Sequence, residues 1–360
     1  MPDIFANVAV GIIKGLVYAY DFVTWPIYFL VFSPVYKLSK SNRIKNLPIN
    51  PSVPEDLESI EFKKRCSRYA SSLKQLTRDE IDQVEKETRG QADNENWFKH
   101  RKGRITASLA GAIYKQRDCT PPDGILKQIF QYQPRLNLKA LEHGKKYETV
   151  AVDMYKIVMS SCGNVVDVLP SGVTIDFNNQ FIAASVDGVV KSHADSHQAG
   201  NLEIKCPYVE QNVTLEELAI ERKSFYLSAK SDCQSSYDQY LESPKMYSFR
   251  CEDMVYVNTL DCNLNINTAH NYYIQIQVQM GVTDRQWCDF VVFLVDQTRL
   301  PNVAGQLFIQ RVLFDRCFYQ NELVPKFHKF YLTGIVPELL TQRVKNGRKL
   351  YPNSSKYKYK

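Results

Sequence analysis

Two short apolar runs carry charge where a buried strand would be apolar throughout. Residues 181–188 read FIAASVDG and residues 202–206 read LEIKC. Asn178–Asn179 and Asp187–Gly188 supply turn signals around the first run. Short apolar runs bounded in this way read as strands. On a strand, side chains at i and i+2 project to one face. Glu203 and Lys205 therefore share one face, while Leu202, Ile204 and Cys206 share the other. A chain with this feature is built on a sheet that holds a polar site.

If the two strands pair, Asp187 brings its carboxylate beside Glu203. Like charges at close range repel, and each group resists ionising. A hard divalent cation relieves that repulsion. Mg²⁺ is held by one or two carboxylates together with waters and phosphate oxygens, and Mn²⁺ is the alternative ion. Lys205 can stabilise an attacking hydroxide or the charge that develops at phosphorus. The backbone carbonyl of Ile204 offers a further ligand. Set against this is an ordinary ion pair between Glu203 and Lys205, worth about 0.2–1 kcal/mol on an exposed face.

The rest of the chain supplies helices before and after these strands. Thr77 and Glu80 have capping-box spacing. Helices are expected over 106–114, 138–158 and 210–229, and strands at 164–169, 172–177, 181–190, 202–206 and 287–295. Residues 272–282, YYIQIQVQMGV, alternate like a strand but suit a helix equally, and residues 230–270 show no period. The order implies an α+β or mixed α/β fold with one central sheet flanked by helices. Nine scattered cysteines without a CxxC pair speak against a zinc ribbon and a disulfide scaffold. They fit free thiols in a reducing, intracellular compartment, nucleus or cytoplasm.

Several ordered motifs give the chain a resemblance. ETRGQADNENWFKHRKGRITAS (87–108) has a Trp, an Arg and an I-T-A-S tetrad. LEHGKKYE (141–148) contains G-K-x-Y-E, and AASVDG (183–188) matches A-x-S-x-D-G. LEIKCP (202–207) and the Y-x-x-Q-x-Q of YYIQIQVQMGVT (272–283) complete the set. On these motifs the chain resembles the phage lambda exonuclease and YqaJ recombinase-nuclease family, within the PD-(D/E)xK superfamily. The resemblance implies a restriction-endonuclease-like core and metal-dependent hydrolysis of DNA, 5′→3′ on double-stranded ends. It places metal ligands at Asp187, Glu203 and Glu148, and the catalytic lysine at Lys205. Gln275 and Tyr272 fall near the metal and the attacking water, with Gln277 a weaker candidate. Arg101, Thr106, Ser108 and Ser185 fall on the pocket for a terminal 5′-phosphate. An arginine fork with hydroxyls at a helix start is the chemistry such a pocket needs.

Other features have ordinary readings. Trp97 suits a core anchor better than a base-stacking platform. Cys206 suits strand packing, and His193 with His197 suits a solvated loop. Residues 1–46 are apolar, then basic. Their longest uncharged run, Phe22 to Tyr36, is 15 residues long, short of the roughly 17–25 residues of a spanning helix. This leader, expected to anchor or lie on a membrane, resembles the N-terminal leader of long-chain acyl-CoA synthetases. The expected organisation is a leader (1–46), a linker and helix (47–86), a nuclease domain (87–335) and a basic tail (336–360). The 66 residues between Lys205 and Tyr272 exceed the phage connection and leave the family's homo-oligomer in doubt. A structure-specific endonuclease on the same site, or a domesticated DNA-binding protein that no longer cuts, are the competing functions.

Overall fold

The run WCDFVVFLV at 287–295 is buried at every position. A strand covered on both faces has no reason to alternate. It forms the spine of the sheet on which the candidate site is built. The computed structural model describes residues 56–134, 138–194, 198–210, 213–230, 236–251, 255–300 and 303–359. The leader, His197 and Asp195 lie outside the described residues.

Helices α1 (Ile60–Ser72), α2 (Arg78–Glu87) and α3 (Glu95–Arg101) lead to strand β1 (Ile105–Thr106) and helix α4 (Ala107–Tyr114). Helices α5 (Asp123–Ile129) and α6 (Lys139–Ser161) follow. Next come β2 (Val166–Leu169), β3 (Thr174–Ile175), β4 (Ile182–Ala184), β5 (Gly188–Ser192) and β6 (Gly200–Lys205). Helix α7 (Leu215–Glu221) precedes β7 (Leu227–Ala229), β8 (Lys245–Cys251), β9 (Val255–Leu260) and β10 (Leu264–Ile266). Helix α8 (Asn271–Thr283) precedes the long strands β11 (Trp287–Val295) and β12 (Val303–Leu313). From 316 to 341, short α-helical turns alternate with π-helical turns at Tyr319–Leu323 and Tyr331–Ile335.

The central sheet has seven strands in the order β2-β5-β6-β11-β12-β8-β9. Strands β6 and β11 run parallel, and the other neighbours are antiparallel. Phe290, Val292 and Leu294 face a core shared with α8 and α4; Val291, Phe293 and Val295 face a core shared with α6. This is the mixed α/β architecture, one central mixed sheet flanked by helices, that the element order implies. The capping box of α2 is present: Glu80 N–H donates to Thr77 Oγ1 at 3.2 Å, and Thr77 N–H donates to Glu80 Oε2 at 2.8 Å.

Several expectations change. The single strand expected over 181–190 is two strands in different sheets. β4 pairs with β1 and β3, whereas β5 pairs with β2 and β6. Asp187 lies at the break between them. Gly188 is required for close packing rather than for a turn, because a Cβ there would lie 2.4 Å from Val168 Cγ1. The run 272–282 is helix α8. Its positions Tyr273 to Met280 are all buried, so no polar stripe marks the helical period. The helix expected over 210–229 stops at Glu221, and Leu227–Ala229 pairs with β10.

The region 230–270 is not irregular where it is described. Buried Tyr247, Phe249 and Cys251 alternate along β8, and β8 with β9 extends the sheet beyond β12. The basic tail is packed rather than free. Val344, Leu350 and Tyr351 are buried, Leu350 N–H donates to Asp123 Oδ1 at 3.0 Å, and Lys358 N–H donates to the Cys119 carbonyl at 2.9 Å. Three apolar side chains spaced among the cations are enough to hold it down. Helix α1, within the expected linker region, buries Phe62 and Cys66 in the same core as Ile335 and Val336. Among the described residues no helix is long and apolar enough to cross a membrane.

Candidate active site

Strand β6 sits between β5 and β11, with Gly188 opposite Leu202 and Phe290 opposite Glu203. This register buries Glu203 to 1% exposure. A buried carboxylate needs partners, and this one has three. Oε1 accepts from Lys205 Nζ and, at 2.6 Å, from Gln275 Nε2. Oε2 accepts from Gln279 Nε2 at 2.6 Å. The strand's i, i+2 geometry supplies Lys205. The helix's i, i+4 geometry supplies both glutamines.

Asp187 is fixed beside this network by backbone. Its N–H donates to the Leu202 carbonyl at 3.1 Å, and its Oδ2 accepts from Ile204 N–H at 2.7 Å. Burial first, then Glu203 and also Glu148, push the Asp187 carboxyl well above its ordinary value, against the opposing pull of Lys205. Glu148, on α6, is raised by burial and then by Glu203. Glu203 thus raises the proton affinity of both Asp187 and Glu148, and Glu148 adds to the effect at Asp187. Burial alone would depress Lys205, but Glu203 and Asp187 outweigh it and hold the ammonium above its ordinary range.

This donor set has the chemistry of a hard-cation site. As placed, no three His, Cys, Asp or Glu side chains among the described residues approach closely enough to hold one ion. Both oxygens of Glu203 are engaged, by Lys205, Gln275 and Gln279.

The second cluster lies on α3, α4 and the segment between β4 and β5. Arg101 Nη1 donates to Ser185 Oγ at 3.4 Å, and Nη2 donates to Ser108 Oγ at 3.3 Å. Thr106 Oγ1 and Ser108 Oγ are 3.1 Å apart. Burial pulls the Arg101 guanidinium down to about 10, with Glu203 acting the other way, so it remains charged at neutral pH. Arg101, Thr106, Ser108 and Ser185 thus form one linked cluster. Tyr272 lies instead at the other end of the site, with Lys205 Nζ 4.5 Å from its ring centre.

The structure adds to the reading of Trp97 and corrects that of Gln277. Trp97 packs against a core cluster, as a core anchor would, but it also shapes the Arg101 cluster. Its indole N–H donates to Ser185 Oγ at 2.9 Å, and its ring lies 3.9 Å beneath the Arg101 guanidinium carbon. Gln277, the weaker candidate, points away: its Nε2 donates to the Leu313 carbonyl at 3.0 Å, and its Oε1 accepts from Asp315 N–H at 2.9 Å. Gln279 takes the place by Glu203 and also donates to the Ser185 carbonyl at 3.1 Å, linking the two clusters. On a strand, 275, 277 and 279 would share a face. On a helix, only 275 and 279 do. Gln277→Ala is accordingly expected to destabilise the fold by about 1–3 kcal/mol, from two buried groups left unpaired. Turnover of the folded fraction should not change. Chemical denaturation and steady-state kinetics on the same sample check both halves.

The family model described as a YqaJ-like viral recombinase domain matches residues 96–286, more than half of the chain. An uncharacterised protein, R354, of Acanthamoeba polyphaga mimivirus is 24% identical over 251 residues. That match covers 68% of this chain and 36% of the relative, so the chain spans little more than a third of the relative's length. Among solved structures, an alkaline exonuclease from Laribacter hongkongensis is 20% identical with a TM-score of 0.42, covering 71% of this chain and 98% of that one. The Shutoff and Exonuclease Protein of Kaposi's sarcoma-associated herpesvirus is 14% identical with a TM-score of 0.48, covering 72% and 74%.

Proposed function

Because the chain belongs to the YqaJ-like viral recombinase family, a family of DNA nucleases, we propose that this site hydrolyses DNA phosphodiesters in a metal-dependent reaction, working 5′→3′ from double-stranded ends. The observation that carries the reading is that buried Glu203 is paired with Lys205 on strand β6, while the Ile204 N–H between them holds the carboxylate of Asp187. Asp187 and Glu203, joined by Glu148 and the Ile204 carbonyl, would hold Mg²⁺ (or Mn²⁺), with Glu203 exchanging a side-chain donor for the ion. Bound there, the ion supplies water activation and charge neutralisation at the scissile phosphate. Lys205 sets its ammonium against the charge that builds on the phosphoryl oxygens. Gln275 and Gln279 keep Glu203 in position, and Tyr272 keeps Lys205 in position.

Arg101, Thr106, Ser108 and Ser185 would grip the terminal 5′-phosphate. Arg101 is charged and already oriented by Trp97, so little conformational freedom remains to be lost on binding. This grip would make an end-directed enzyme of a site that otherwise suits any phosphodiester. Wild-type protein is expected to degrade 5′-phosphorylated linear duplex faster than 5′-hydroxyl duplex and to leave covalently closed circles intact. Arg101→Ala should weaken the phosphorylated end roughly 10- to 100-fold in KM and change the hydroxyl end little. Rapid cutting of closed circles would favour the endonuclease reading.

A further inference from the structure

Helix α8 orders the site along its axis. Tyr272 and Gln279 lie seven residues apart, roughly 10 Å of helix rise. Gln279 holds Ser185 of the Arg101 cluster, and Tyr272 lies against Lys205. Glu203 is between them, bonded to Gln275 and Gln279. Beyond Lys205, away from Arg101, the surface opens into a cleft of about 450 Å³. That volume is within the range of small-ligand sites.

The lining of the cleft is aromatic and cationic. Tyr208, Tyr226, His270 and Tyr272 stand around it, with Lys205 in one wall and Arg222 exposed at its mouth. Three of the rings are mutually packed: His270–Tyr272 centroids are 4.6 Å apart, Tyr226–Tyr272 5.2 Å and Tyr226–His270 5.8 Å. Phe225 supports Tyr226 from behind at 4.2 Å. His270 Nδ1 accepts from Tyr272 N–H at 3.1 Å, which leaves the ring proton of the neutral imidazole on Nε2. Among the described residues Arg222 makes no side-chain hydrogen bond or ion pair. None of the groups around the cleft beyond Lys205 and Tyr272 is used by the chemistry above.

We propose that this cleft is a nucleobase subsite, which takes the unpaired base of the nucleotide on the 3′ side of the cut, stacked against Tyr226 and Tyr208, with Arg222 on the following phosphate. The proposal rests on the nuclease reading and adds to it. Lys205 is common to the cleft and to the proposed phosphodiester site, so the two are adjacent and a nucleotide in the cleft adjoins the phosphate being cut. Aromatic faces accept every base, which suits an enzyme that must pass through any sequence. The base can enter only after its pair has opened. Frayed or single-stranded ends of at least two nucleotides are therefore the preferred ground state.

The test is equilibrium binding to the full chain in EDTA, where no cutting is needed. The probe is a 5′-phosphorylated single-stranded oligonucleotide with 2-aminopurine as its second residue, compared with the same oligonucleotide abasic at that position. The 2-aminopurine emission is expected to be quenched on binding, and the abasic probe to bind about tenfold more weakly or worse. Tyr226→Ala and Tyr208→Ala should abolish that discrimination, and Tyr226→Phe should preserve it. Equal binding of the two probes to wild-type protein would overturn the proposal, as would alanine variants that weaken both probes alike. Discrimination without cleavage in Mg²⁺ would sustain the base subsite and remove the nuclease reading. Cleavage without discrimination would do the reverse.

Discussion

Lys205→Ala is expected to lower the turnover of DNA cleavage by about 10²–10³-fold, the usual effect of removing one preorganised group that opposes transition-state charge. The side chain is well placed for that role. It is held above its ordinary pKa by Glu203 and Asp187 despite burial, so it is charged at neutral pH. The same residue has a structural partner in Glu203, and loss of activity could reflect a loosened carboxylate. Lys205→Arg separates the two. Guanidinium keeps the charge and the Glu203 pair but not the compact geometry of an ammonium. A turnover defect in both variants, with DNA binding in EDTA retained, marks a role in the reaction step. Full recovery in Lys205→Arg would show that a cation paired with Glu203 suffices and that the compact ammonium is not needed.

Asp187→Asn is expected to act in opposite directions on activity and stability. Activity should be lost, because a proposed metal ligand loses its charge. Stability without added metal should rise by about 0.5–2 kcal/mol, the usual gain when a functional strain is relieved. The sign follows from the raised carboxyl. Asp187 is pushed well above its ordinary 3.8 by burial and then by Glu203. Between 3.8 and that higher value the folded state binds more protons than the unfolded state, so stability falls as pH rises through this window. Asparagine cannot ionise, and its side-chain oxygen can still accept from Ile204 N–H. The variant should therefore lose this part of the pH slope and melt above wild type at pH 8 in EDTA. Thermal unfolding of both proteins at pH 5 and pH 8 checks the slope. A variant less stable than wild type at pH 8 would show that the carboxylates are not in conflict.

How much of this was legible depends on how local the geometry is. Asp187, Glu203 and Lys205 could be read because strand periodicity alone places two of them on one face and the pairing of β5 with β6 brings up the third. Glu148 could not be found that way. It lies on α6, packed on one face of the sheet, and only the ordered motifs pointed to it. Gln279 was missed because α8 is buried all round. With no polar face the helical period is silent, and the Y-x-x-Q-x-Q motif offered Gln277 as the weaker candidate instead. The Arg101 cluster was legible as residue types, but the part played by Trp97 was not, since an indole that packs on a core and one that orients a guanidinium leave the same trace in sequence. The strands β8 and β9 went unseen because their alternation is short, with clear burial only along β8. The C-terminal segment read as a tail because seven cations mask three buried apolar residues.

The most direct measurement is release of nucleotides from 5′-phosphorylated, end-labelled linear duplex by the full chain, in Mg²⁺ and in EDTA. Steady release in Mg²⁺, none in EDTA, and none from Glu203→Gln in Mg²⁺ is the expected result. Folded wild-type protein that binds the duplex but releases nothing in Mg²⁺ or Mn²⁺, or that releases nucleotides equally in EDTA, would contradict it.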